Sequence, residues 1–125
     1  MYGSACVYQG LGVAGRDRYT GTMSLLAVIT TIDDPELAAA ISRELVERRL
    51  AACVQISSIR SVYRWDGDVQ EDPELRLLIK TTRSSYPAVE ALLKERHSYD
   101  LPAVVALDVA VASDEYADWV ESECG

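Results

Sequence analysis

Four strand-like runs, apolar along most of their length and separated by only two amphipathic helical stretches, constrain this chain more than any other feature. LLAVITT (25–31) is short, apolar and β-branched, the composition of a buried strand. IDDPELAAAISRELVERRL follows at once. Within it Asp34 suits an N-cap, Pro35 the first helical position and Glu36 the positive end of the helix dipole. Leu37, Ile41 and Leu45 recur every four residues, with Ala38 and Ala40 beside them. Arg43–Glu47 and Glu44–Arg48 form i,i+4 charge pairs on the wet side.

AACVQIS (51–57) reads as a second strand, and SIRSVYRW (58–65) continues it as an extended stretch. Asp66–Gly67 is a hairpin signal. QEDPE, shaped by Pro73, reads as a solvated turn, and LRLLIKTT (75–82) as the third strand. SSYPAVEALLKERHSY predicts a second helix capped by Ser84 or Ser85, with Val89, Leu92 and Leu93 on its faces. Pro102 keeps that helix from running much past Tyr99. AVVALDVAVA (103–112) is a fourth strand, and DEYADWVESE (114–123) a short helix with Tyr116, Trp119 and Val120 on one side.

The resulting order, β-α-β-β-α-β and then a small helix, is the split βαβ arrangement of an α+β, ferredoxin-like sandwich with a long β2–β3 hairpin. Right-handed crossovers put both helices on one face of the sheet. The strands are apolar on both faces, so the other face calls for a partner, and a homo-oligomer is expected. Residues 1–22 read differently. They hold five of the seven glycines and keep neither helix nor strand period. We expect a loosely ordered extension there and a domain over 23–125; the alternative is an extra edge strand built from ACVYQGLGV.

Net charge is −8, with only Lys80 and Lys94 as lysines. Such a surface repels phosphate backbones, which argues against nucleic acid. No stretch approaches the ~20 apolar residues of a membrane span. Cys6, Cys53 and Cys124 are widely spaced and no secretory pattern opens the chain, so reduced thiols in the cytoplasm are expected. No nucleophile elbow or phosphate loop is present and His97, the single histidine, has no close Cys or Ser partner, so no enzyme activity is expected.

Three spaced motifs point further: Leu50-Ala51-Ala52-Cys53, Ser61-Val62-Tyr63-Arg64-Trp65-Asp66-Gly67 and Leu78-Ile79-Lys80-Thr81. With Tyr116-x-x-Trp119, and the His97–Pro102 stretch standing for a His-Pro-Tyr-x-x-Pro-Glu segment, they resemble the CutA divalent-cation tolerance family over about residues 25–122. The resemblance implies a homotrimer whose strands continue each other's sheets, an architecture like that of the trimeric PII signalling proteins. It also implies a part in tolerance to copper and other divalent ions, through a metal or an unknown small ligand or partner protein. It attaches no reaction to the chain; a small enzyme working in an inter-subunit cleft is the alternative. Where family members proposed to bind copper have a cysteine and a first histidine, this chain has Thr30 and Arg96, so His97 alone is left as a metal candidate. Ser98 and Ala103 stand where the family has proline and glutamate.

Tyr63 and Trp65, two apart, share one side of an extended strand and pack across a subunit boundary or wall a ligand cleft. Lys80 ends an apolar strand, either as an edge gatekeeper or as a fixed cation for an anionic ligand. His97 either ligates a metal or caps the second helix. Tyr99 and Trp119 complete the cleft candidates. Cys53 reads as a small buried hydrophobe, and Cys6 and Cys124 as incidental residues in loose ends.

Overall fold

A computed structural model of the protein describes residues 24–125; the expectations for residues 1–22, Cys6 included, lie outside the described residues. The elements are β1 (Leu25–Ile32), α1 (Pro35–Glu47), β2 (Cys53–Trp65), β3 (Asp68–Thr82), α2 (Tyr86–Arg96), β4 (Val105–Asp108) and α3 (Asp114–Glu123). The four strands form one antiparallel sheet in the order β2-β3-β1-β4. This is the ferredoxin-like arrangement expected from the order of the elements.

Local chemistry fixes the boundaries. The Asp34 carboxylate accepts from the amides of Glu36 (3.0 Å) and Leu37 (3.2 Å), closing the first turn of α1. Ala38, Ile41 and Leu45 are buried, whereas Ala40 faces solvent. Asp66 and Gly67 both take positive φ (53° and 84°) between the paired residues Trp65 and Asp68. That is the two-residue hairpin turn the Asp-Gly pair predicts.

Two strand expectations need correction. QEDPE is strand rather than turn: β3 begins at Asp68, and Pro73 sits opposite Arg60 on β2. The β1 ladder stops at the Ile32–Leu75 pair, so at Pro73 the strand is paired on one side only, where a missing N–H is tolerated. β4 spans only 105–108 of the expected 103–112. Its pairing runs from Ile29–Val105 to Leu26–Asp108, close to where β1 begins, so the chain soon has no ladder left to join. Val109 and Ala112 instead pack against α3.

The register assigns every strand residue to a face, because directly opposed residues point the same way and successive ones alternate. Leu26, Val28, Ile32, Leu77 and Ile79 point toward α1 and α2, where Ile41, Leu45, Val89, Leu92 and Leu93 meet them. These side chains are at most 5% exposed. At roughly 1.5–3 kcal/mol for each fully buried aliphatic side chain, this layer holds the domain together. The opposite face carries Ala27, Ile29 and Thr31 of β1 beside Lys80, Leu78 and Arg76 of β3. α3 covers one end of it, burying Leu25, Ala117 and Val120. The remainder is open, and Val105 and Leu107 are 51% and 54% exposed there.

Candidate functional site

At the end of the sheet away from α3, the arm formed by β2 and β3, the end of β1 and the loop from α2 to β4 come together. His97 anchors this loop. Its backbone N–H donates to the Leu93 carbonyl (2.9 Å) at the C-cap of α2. Its ring reaches elsewhere: Nε2 lies 2.8 Å from the Thr31 carbonyl, and Nδ1 lies 3.1 Å from the Tyr99 amide. A carbonyl only accepts and an amide N–H only donates. Nε2 is therefore the donor and Nδ1 the acceptor. The ring thus ties the loop to β1 while its backbone caps the helix.

Tyr99 lies against that imidazole (centroids 4.6 Å apart, planes at 55°) and its phenol donates to Glu74 Oε2 at 2.7 Å. Burial, and then this bond to a carboxylate, push the phenol above the ordinary tyrosine value. Across the arm Tyr63 donates to Asp72 Oδ2 at 2.7 Å, and that bond is the main reason its own phenol is raised. A cavity of about 650 Å³ opens between these groups, within the range of small-molecule sites. Tyr63, Trp65 and Tyr99 supply its aromatic walls, Glu74 and Asp100 its carboxylates, and Thr31, Ser61 and Ser98 its hydroxyls; among the described residues no lysine or arginine lines it.

Of the residues singled out in the sequence, Tyr63, Trp65 and Tyr99 meet at this cavity, with His97 behind them as a buttress. Lys80 and Trp119 do not reach it. Lys80 stands in the cross-strand row Leu107–Ala27–Lys80–Cys53. Its Nζ lies 5.3 Å above the Tyr116 ring, which packs 5.6 Å from Trp119. Those two candidates belong to the α3 end of the sheet, with the half-buried Cys53 thiol. Cys124 is not in a loose end: its sulfur lies 3.9 Å from Thr81 Oγ1, and burial raises its thiol pKa. Glu74 was missed from sequence, and Asp100 was not among the cleft candidates. For Glu74 the signal was available, since the Asp-Gly turn fixes a register that puts Asp72 and Glu74 on the side carrying Tyr63.

The residues at the family's copper positions do not fit a transition-metal site. Thr30 is fully buried on the helix-covered face, and its hydroxyl has no hydrogen-bond partner among the described residues. Arg96 is held by Glu44 (3.1 Å) and Glu95 (2.9 Å). Both nitrogens of His97 already serve hydrogen bonds. Among the described residues no group of three His, Cys, Asp or Glu side chains is placed to hold a metal, and copper prefers several imidazole or sulfur donors.

A ferredoxin-like α+β domain with an aromatic, acid-lined cavity and an open apolar sheet face is the class this architecture defines. The family model for "CutA1 divalent ion tolerance protein" matches residues 26–123, and the chain belongs to that family. The divalent-cation tolerance protein CutA of Thermus thermophilus is 44% identical over 99 residues, covering 78% of this chain and 96% of that protein. The chloroplastic protein CutA of Arabidopsis thaliana is 36% identical and covers 81% of this chain, but this chain spans only 56% of its length. The crystal structure of CutA from Xylella fastidiosa superposes with a TM-score of 0.79 at 37% identity, covering 82% of this chain and 99% of that one. The relatives' names support a role in metal tolerance.

Proposed function

We propose that the chain acts as a cytoplasmic homotrimer in tolerance to divalent ions such as copper, as a binding or signalling module rather than a catalyst. The open apolar sheet face carries this reading: exposed Val105 and Leu107, with half-buried Ile29 and Leu78 beside them, form a patch that a lone domain leaves partly in water. β2 and β4 are also edge strands, and edges left unpaired invite strands from another copy. Three copies closing a ring would cover both features with one kind of contact.

Binding is favoured over catalysis because Lys80 and the Tyr99 cavity lie at opposite ends of the sheet. The enzyme alternative needs a neighbouring copy to bring a Lys80 to that cavity. Copper binding through His97 is weak in this reading, since either the Thr31 or the Tyr99 bond has to break first. Cells lacking the chain should lose copper tolerance and regain it with the intact protein. Restoration by His97→Ala would place the role outside the imidazole, and unchanged tolerance on deletion would overturn the reading. Calorimetry sharpens it: near-stoichiometric Cu(II) binding that vanishes in His97→Ala would contradict weak binding.

A further inference from the structure

We infer that the cavity beside Tyr99 is a site for an organic cation, a small molecule carrying an ammonium group. The charge of its lining points one way. Glu74 and Asp100 face it and, among the described residues, no lysine or arginine does. Asp33 adds negative potential felt by the phenols of both Tyr63 and Tyr99, and Asp72 adds more at Tyr63. Among the described residues Arg76 stands on the same face, two residues along β3 from Glu74, and lies outside the lining. An anionic ligand would find no cationic side chain among the described residues here.

The walls point the same way. Tyr63, Trp65 and Tyr99 offer three ring systems around one volume, and ring faces attract cations within about 6 Å. Their acidic neighbours reinforce this. Each phenol donates a hydrogen bond to a carboxylate, which leaves the rings electron-rich and holds them in place. Tyr99 uses Oε2 of Glu74, so Oε1 remains to pair with the ligand. A bare metal ion would find few donors converging on one point, whereas an ammonium group spreads its charge over a surface this wide.

This inference does not rest on the copper role, and its failure would leave that role and the trimer standing; because the cavity shares the open sheet face, it is tested on the protein as it assembles. Choline is a suitable probe, with its uncharged carbon isostere as control, titrated into the full-length protein as it assembles. The readout is the indole N–H resonance of Trp65, assigned through Trp65→Phe and separated from that of Trp119. Choline should shift it saturably and bind at least about tenfold more tightly than the isostere. Glu74→Gln should weaken choline by about tenfold, the scale of removing one carboxylate from a half-wet site, while Lys80→Ala should change nothing. Equal binding of choline and isostere, a shift of Trp65 by inorganic phosphate, or no choline response up to tens of millimolar would each overturn the site. Should Glu74→Gln misfold, as judged by its core methyl resonances, the comparison of choline with the isostere decides alone.

Discussion

The two faces of the sheet are built from the same strands and have opposite fates. Toward α1 and α2, every second residue of β1 is buried, and the layer includes Ile79 and Leu77 at 0% exposure. On the other side α3 seals one end only, and the strands reach water still carrying Val105 and Leu107. The first face is a finished core. The second has the composition of a core and the exposure of a surface, which is the condition of an interface awaiting its partner.

Substitutions separate the two. Ile79→Ala removes a fully buried side chain from the finished face and should cost about 2–5 kcal/mol in urea unfolding; a cost below 1 kcal/mol would mean that face is loosely packed. Leu107→Asp places a charge in the unfinished face. It should leave the isolated domain folded, while weakening association on the order of a hundredfold or more, as burying an unpaired charge demands. Concentration-dependent sedimentation reads that difference directly.

Thr30→Val tests a flaw in the finished face. The Thr30 hydroxyl is buried without a hydrogen-bond partner among the described residues. An isosteric methyl should therefore raise stability by about 1 kcal/mol, seen as a higher denaturation midpoint. A loss would reveal a partner for the hydroxyl.

The smallest effect concerns pH at the cavity. The Tyr99 phenol is raised above the ordinary value of 10.0 by burial first and the bond to Glu74 second. Below that value the phenol is protonated folded or unfolded, and its contribution is fully present. As pH rises past it, the unfolded phenol ionises while the folded one resists, so stability falls. Tyr99→Phe should fall less steeply than the parent in alkaline unfolding, although Tyr63 and Tyr86, raised in the same direction, leave part of the slope in both.

Much of this architecture was legible in the sequence because its signals are local. Asp34-Pro35 opens α1, Asp66-Gly67 closes the hairpin and the spacing of Leu37, Ile41 and Leu45 sets the buried side of the helix. What escaped depends on distant partners. The end of β4 is set by where β1 begins, which no composition in AVVALDVAVA reveals. Pro73 looked like a turn because its strand is paired on only one side there. Cys124 looked loose, yet α3 folds back to seat it beside Thr81. The candidate site was half legible. Tyr63 and Trp65 share a side by alternation, but that Tyr99 meets them and Lys80 does not follows from the sheet register and the His97 tether.

The claim on which most rests is that copies of this chain cover the open face. Light scattering of the purified protein at micromolar concentration tests it most directly. The mass of three chains, falling to one in Leu107→Asp, is expected; a stable single chain in the unmodified protein would contradict the account.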